Sequence, residues 1–267
     1  MSSYDNDPRL FEYLTVARYA ARAAGDTVVS MLRSAKVREK SAKDLVTDAD
    51  IAAQECIYKV LGTAFPDHAL LGEEDVDQSQ LEDHGDRLCW VVDPIDGTAN
   101  YVHGLPNFAV SIALVTAKRP IVGVVFDPMA DEMFCAIAGR EATLNDRPIH
   151  RSDCEHLSDA LVAASFPPNV QAGAAEIDHF VNVLVDSRSV RRLGSAALNL
   201  CFVACGRLDA YWAQKLRAWD VAAGVLIAER AGAIITGRDG SPFDLTDGHL
   251  TAAATLQLHS QLLQRLQ

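Results

Sequence analysis

Four absences bound this chain before any motif is read. Its six cysteines (Cys56, Cys89, Cys135, Cys154, Cys201 and Cys205) form no CxxC pair, so the dithiol and zinc spacings built on such pairs are missing. Cys201 and Cys205 share a helical face in CFVAC, but no third ligand lies near them. No apolar run approaches the roughly 18 residues of a membrane span. No apolar leader opens the chain, since MSSYDNDPRL is polar; we read a reduced, cytoplasmic protein whose thiols serve as small apolar residues. Positive charge is scarce: 24 Lys and Arg stand against 36 Asp and Glu, a formal charge of −12. That balance argues against nucleic acid and anionic membranes as partners. It also poses a problem, because an acidic protein repels acidic substrates unless cations intervene.

What is present is a substantial core. The chain has 267 residues, 49% of them hydrophobic, enough for one large domain or two small ones. No repeat, low-complexity linker or clear boundary divides it, so one domain over 1–267 is expected. Residues 8–33 place Leu10, Leu14, Ala17, Ala21, Val28 and Leu32 at helical spacing. Leu45-Val46 reads as strand before a helix carrying Ile51, Ile57, Val60 and Leu61. ALLGEED and LCWVVD are strand-like and end in acids. NFAVSIALVTA, PIVGVVFDP and DEMFCAIAG are three strands separated by short breaks, hence antiparallel neighbours. Strands in ALVAASF and SVRRLG flank a helix near 174–186. Helices near 195–205 and 219–231 enclose DAYWA, and AIIT and LTAAAT close the chain ahead of a helical tail. Strands mixed with helices in this way indicate a layered α/β or α+β sandwich. The polar, acidic stretch 76–87 reads as an exposed loop.

Acids gather at element ends. In WVVDPIDGTANYVHG an apolar strand reaches Asp93, Pro94 stops it, and Asp96-Gly97-Thr98 turns into a helix. One strand-end carboxylate is ordinarily solvated. Two, with Pro94 and Gly97 fixing the backbone around them, suit a shared divalent cation, and a helix start suits phosphate oxygens. Glu73 and Glu74 follow a short strand, and Asp220 opens an apolar helix, where a plain N-terminal acid is the simpler reading. Asp50 stands three residues after Thr47, the spacing of a capping box.

Taken in order, GEED (72–75), DPIDGTANYVHGLPNFAVSIAL (93–114) and WDVAAGVLIAERAGA (219–233) resemble the inositol monophosphatase family of Mg²⁺-dependent, Li⁺-sensitive phosphatases. KDLVTDAD (43–50) and RRLGSAALNL (191–200) extend the resemblance to nearly the whole chain. It implies an α-β-α-β-α sandwich and a homodimer. It implies a first Mg²⁺ on Glu73, Asp93 and the Ile95 carbonyl, and a second on Asp93, Asp96 and Asp220. A third, weaker ion would also use Glu73. Thr98 and Asp50 would orient and deprotonate the attacking water. Gly97 and Thr98 would offer N–H groups to the phosphate, with Gly194, Ser195 and Asp220 lining the substrate site. Lys40 loosely matches an upstream lysine of the family.

The chemistry stands without the resemblance. Phosphate-monoester hydrolysis is among the slowest uncatalysed reactions, and two metals about 3.5–4 Å apart serve both ends of an in-line displacement. Hard cations take oxygen ligands, and they reverse the local charge for an anionic substrate. Two rivals remain. A haloacid-dehalogenase-type phosphatase would use Asp48 of VTDAD as a covalent nucleophile and leave residues 93–104 idle. A non-catalytic scaffold of the same fold would be expected to lose a ligand, and none is missing. The resemblance implies a small phosphate ester as substrate: inositol monophosphate, joined by other polyol or sugar phosphates, with histidinol phosphate and fructose 1,6-bisphosphate as alternatives. Inositol-selective members often carry Glu seven residues before the metal-binding Asp; this chain has Ala213. If the strand runs on, Gln214 faces away from the site and Lys215 shares the face of Ala213.

Overall fold

The apolar spacing near the N-terminus folds as α1 (Arg9–Ser30), which buries Leu10, Tyr13, Ala17, Ala21, Ala24 and Val28 along one stripe. The structure is a computed structural model that describes residues 7–41, 44–74, 85–167 and 169–267, the side chains of residues 40, 41, 44 and 238 excepted. After α1, β1 (Val37–Ser41) pairs with β2 (Asp44–Thr47) as an antiparallel hairpin. Helix α2 (Asp48–Ala64) begins at Thr47, whose hydroxyl accepts the Ala49 N–H at 3.1 Å.

The first sheet follows in chain order: β3 (Ala69–Gly72), β4 (Cys89–Asp96), then, after helix α3 (Thr98–His103), β5 (Ala109–Thr116), β6 (Arg119–Asp127), β7 (Glu132–Ile137), β8 (Thr143–Leu144) and β9 (Arg147–Pro148). Its seven strands lie in that same order. The β3–β4 pair is parallel, and β4 through β9 pair antiparallel, as the short breaks between them predict. The second sheet contains β10 (Leu161–Ser165), β11 (Ser189–Arg191), β12 (Ala210–Ala213), β13 (Ile234–Thr236) and β14 (Leu250–Ala253), ordered β11-β10-β12-β14-β13. Its helices are α4 (Ala175–Asp186), α5 (Ala196–Ala204), α6 (Ala218–Arg230) and α7 (Leu256–Arg265).

Side-chain alternation sorts these elements into layers. Along β4, Trp90 and Val92 join Ile112, Leu114, Val122 and Val124 against α1 and α2. Cys89 and Val91, one residue out of phase, join Ala113, Phe134 and the small residues of α5 and α6. The second sheet turns Tyr211, Ala213 and Ala252 to that same middle layer. It turns Val162, Trp212 and Ala253 outward to Val183 of α4 and Leu258 and Leu262 of α7. The result is α-β-α-β-α, the architecture the resemblance implies. Small side chains hold the middle layer close: a Cβ on Gly123 of β6 would lie 2.8 Å from the Ala223 carbonyl oxygen of α6.

Three features depart from the sequence reading. Strand β1 was not foreseen as a partner for Leu45-Val46, nor was the β8–β9 hairpin. Strand β12 stops at Ala213, because Lys215 adopts a left-handed backbone at φ +59°. Of the stretch 76–87, residues 76–84 lie outside the described residues, and 85–87 are exposed. Among the described residues no helix is long and apolar enough to cross a membrane.

Candidate active site

The end of β4 is bent by a bulge. Asp93 pairs with Ser111 and Asp96 with Ala109, so Pro94 and Ile95 together stand opposite the single residue Val110, one residue extra on the β4 side. Pro94 has no N–H to give the ladder. The Ile95 N–H turns inward and donates to Asp93 Oδ1 at 3.0 Å. Gly97 then adopts φ +102°. A Cβ there would press within 3.1 Å of the Asn107 carbonyl oxygen and 3.2 Å of the Gly194 carbonyl oxygen, so the turn requires glycine on two counts. One short segment thereby delivers two acids and a helix start to the same place.

Neighbouring elements bring the other acids. Strand β3 runs parallel to β4, and the Glu73 N–H donates to the Val92 carbonyl at 3.1 Å, which sets Glu73 beside Asp93. Asp220 lies in the first turn of α6 and accepts the Arg217 N–H at 2.7 Å. Ser111, the register partner of Asp93, donates from Oγ to the Trp219 carbonyl at 3.2 Å. The sheet and the start of α6 are therefore tied one residue from each acid. Asp93 and Asp96 are buried, and Glu73 and Asp220 are half-buried.

The acids raise one another. Burial, then repulsion from Glu73, Asp96 and Asp220, pushes the Asp93 carboxyl well above the usual carboxylate range. Burial pushes Asp96 up to about 6, against the hydrogen bonds from Ser195, Ala197 and Ala196. Burial and repulsion from Glu73 raise Asp220 as well. Two of the four carboxylates are engaged with helix starts. Ser195 Oγ and the N–H groups of Ala196 (3.1 Å) and Ala197 (2.7 Å) all donate to Asp96. Among the described residues no group of three or more His, Cys, Asp or Glu side chains is arranged to hold a metal ion as it stands. The donor set nevertheless fits a hard cation. It is all oxygen, and its mutual repulsion is what a divalent ion relieves.

Asp50 does two jobs that the sequence reading set against each other. Its Oδ2 accepts the Thr47 N–H (2.7 Å) and Oγ1 (2.6 Å), closing the capping box of α2. Its Oδ1 faces Thr98 Oγ1 at 3.3 Å. The Thr98 hydroxyl also reaches the Ile95 carbonyl at 3.0 Å. With one proton to give, Thr98 chooses between these acceptors.

Above the acids opens a cleft of about 440 Å³. Of the residues singled out in the sequence, Asp96, Gly97, Thr98, Gly194 and Asp220 line it. Ser195 is buried behind it as the N-cap of α5. Four residues the sequence reading missed also line it: Asn100, Ser165, Phe166 and Arg192. Asn100 Nδ2 holds the Asn107 and Leu193 carbonyls at 2.7 Å each, and Tyr211 O–H donates to Ser165 Oγ at 2.9 Å. Gln214 lines the cleft, contrary to the expectation that it faces away. Ala213 is buried against the middle layer. The expectation assumed a strand continuing past Ala213, and the left-handed turn at Lys215 removes that premise. The side chain of Lys40 lies outside the described residues.

The profile of the inositol monophosphatase family matches residues 10–267. The chain belongs to the inositol monophosphatase family. It is 39% identical over 257 residues to an inositol-1-monophosphatase of Synechocystis sp., covering 95% of this chain and 88% of that one. It is 37% identical over 258 residues to the Nus factor SuhB of Pasteurella multocida, covering 95% of each. The inositol monophosphatase structure from Anabaena superposes with TM-score 0.85 at 35% identity, covering 97% of this chain and 96% of that one. Family membership makes this chain a phosphoric monoester hydrolase, and it removes the haloacid-dehalogenase reading of Asp48. Asp48 instead pairs with Arg38 across the start of α2.

Proposed function

We propose that residues 1–267 form one catalytic domain that hydrolyses inositol monophosphate and other small polyol or sugar phosphate monoesters, using Mg²⁺ held by Glu73, Asp93, Asp96, Asp220 and the Ile95 carbonyl. The observation that carries this reading is the β4 bulge, which seats two carboxylates three residues apart beside two more, with Asp93, Asp96 and Asp220 pressed upward by burial and by repulsion within the cluster. Mg²⁺ supplies the Lewis-acid charge that phosphoryl transfer needs. The protein's own groups do the positioning. Asp50 holds the Thr98 hydroxyl as acceptor, so Thr98 can take a hydrogen bond from an attacking water and pass a proton toward Asp50. Gly97 and Thr98 open a helix toward the cleft, where their N–H groups suit phosphate oxygens. Asp96 and the Ser195–Ala197 turn lock the substrate wall to β4.

Phosphate release from inositol 1-phosphate and glycerol 2-phosphate is the test. Activity should require Mg²⁺, fall with millimolar-order Li⁺ and vanish in excess chelator; full turnover in chelator defeats the reading. The family resemblance also supports a homodimer. Light scattering should give about twice the chain mass of 28.9 kDa.

A further inference from the structure

We propose that Gln54 is a positioning residue for the metal site: from α2 it holds the backbone that carries Glu73, and so sets the affinity for Mg²⁺ through Glu73 rather than by touching the ion. The inference rests on the Mg²⁺ reading above and deepens it. The four acids are unequally supported. Asp93 and Asp96 belong to β4, which has a strand on either side, and Asp220 sits in the first turn of α6. Glu73 follows β3, which is four residues long and lies at the edge of its sheet. On one side the Glu73 N–H donates to the Val92 carbonyl of β4 at 3.1 Å. Among the described residues no strand pairs with the other side, where an edge leaves backbone groups without a ladder. There Gln54 Oε1 accepts the Glu74 N–H at 3.1 Å. The two peptide N–H groups that flank the Glu73 Cα are thus held from opposite directions, one by β4 and one by α2.

The buried face of α2 supplies the second argument. It carries Ala49, Asp50, Ala53, Gln54, Ile57 and Leu61. Asp50 and Gln54 are its polar members, and they stand four residues apart, one turn along the same face. Gln54 is 4% exposed, and a buried amide is unfavourable unless it is hydrogen-bonded. Asp50 faces Thr98, and Gln54 faces the segment of Glu73. One helix therefore sets the register of the group that orients the water and of an acid that holds the ion. The fit is close. A Cβ on Gly72 would overlap the Gln54 amide and lie 2.5 Å from Tyr58 Oη, so the end of β3 reaches α2 only as glycine. An amide also suits the place chemically. It offers a carbonyl oxygen without a further negative charge beside acids that already repel one another.

The experiment compares the wild type with Gln54→Met, which keeps the length of the side chain and removes the acceptor, and with Gln54→Glu, which keeps an acceptor. Two readouts are taken: the Mg²⁺ concentration that half-activates phosphate release from inositol 1-phosphate, and the rise in Tm on adding Mg²⁺, which needs no turnover. Gln54→Met should raise the half-activating concentration by roughly 10–100-fold, the scale of a group behind a metal ligand. Its kcat at saturating Mg²⁺ and its KM for the ester should change little, and its Tm should need correspondingly more Mg²⁺ to rise. Gln54→Glu should stay near the wild type in both readouts. Gly72→Ala displaces the amide from the other side and should shift both readouts in the direction of Gln54→Met, which decides the matter if Gln54→Met does not fold. A lower Tm in chelator with unchanged Mg²⁺ dependence would make Gln54 merely structural and overturn the proposal. Equal impairment of Gln54→Glu and Gln54→Met would overturn it too, because the acceptor would then not matter. A wild type whose Tm ignores Mg²⁺ defeats the metal reading and this inference with it. If Mg²⁺ raises the Tm but no phosphate is released, the phosphatase reading fails and the melts alone decide the role of Gln54.

Discussion

The floor and the wall of the cleft are built on opposite principles. The floor is the bulged end of a central strand and its neighbours: largely buried and acidic, with Asp93, Asp96 and Asp220 each accepting backbone N–H groups. The wall is a row of turns after short strands: half-buried to exposed, carrying the basic side chains of Arg192 and Lys215, and held by few contacts. A buried carboxylate cluster is unfavourable by itself and persists only because rigid surroundings hold it. The difference teaches where each kind of change should be felt. Alterations to the floor should abolish the reaction, and alterations to the wall should redistribute it among substrates.

The largest effect should come from Asp93→Asn, since Asp93 is pressed by all three other acids. Loss of kcat by roughly 10³-fold or more is expected, beyond the 10–100-fold typical of a group behind the ligands; a smaller loss would make the floor no more critical than its supports. Asp50→Asn comes next. If Asp50 serves Thr98, kcat should fall on the order of 10²-fold with Mg²⁺ affinity nearly unchanged, as read by metal-titrated activity. Because Asn also caps well, the melt should change by about 1 kcal/mol or less. Intact kcat would reduce Asp50 to a helix cap. Gly97→Ala attacks the joint between floor and wall, where positive φ and two carbonyl oxygens leave no room. A stability loss of about 1–3 kcal/mol is expected from denaturant melts, and an unchanged melt would show that the joint yields easily.

The smallest effect concerns pH. Asp96 in the folded protein sits at about 6, above its unfolded value of about 4. In chelator the folded state therefore keeps a proton that the unfolded state has already released, and stability falls as pH rises from about 4 to 6. Asp96→Asn removes that contribution. Its melting temperature relative to wild type should climb through this window and level off above it. Parallel curves would show that the floor is not strained by charge.

The same contrast explains what was legible in the sequence. The floor was readable because its residues are constrained twice, by strand periodicity and by the Pro94 and Gly97 punctuation. DPIDGT admits few backbones, and the layered fold followed from clear alternation of strand and helix patterns. The wall was not readable. Arg192 and Ser165 are ordinary residues whose meaning comes from three parallel strands ending together, which is information about pairing. Gln214 was misplaced because a lysine in left-handed backbone carries no sequence mark, as a glycine would. Strands β8 and β9, two residues each, are too short to show any period. Ser111 looked like one more strand residue, and only its bond to the Trp219 carbonyl reveals that it couples the sheet to α6.

The close contact of Gly123 with Ala223 has a mechanical consequence. Floor and wall belong to different sheets, and the helices between them act as a spacer of fixed gauge. A methyl group at Gly123 is a wedge of known thickness, driven in far from any reacting atom. It widens the gap between the floor and the wall of the cleft. Long substrates would tolerate the wider jaw better than short ones, so the reach of the enzyme is set in its interior.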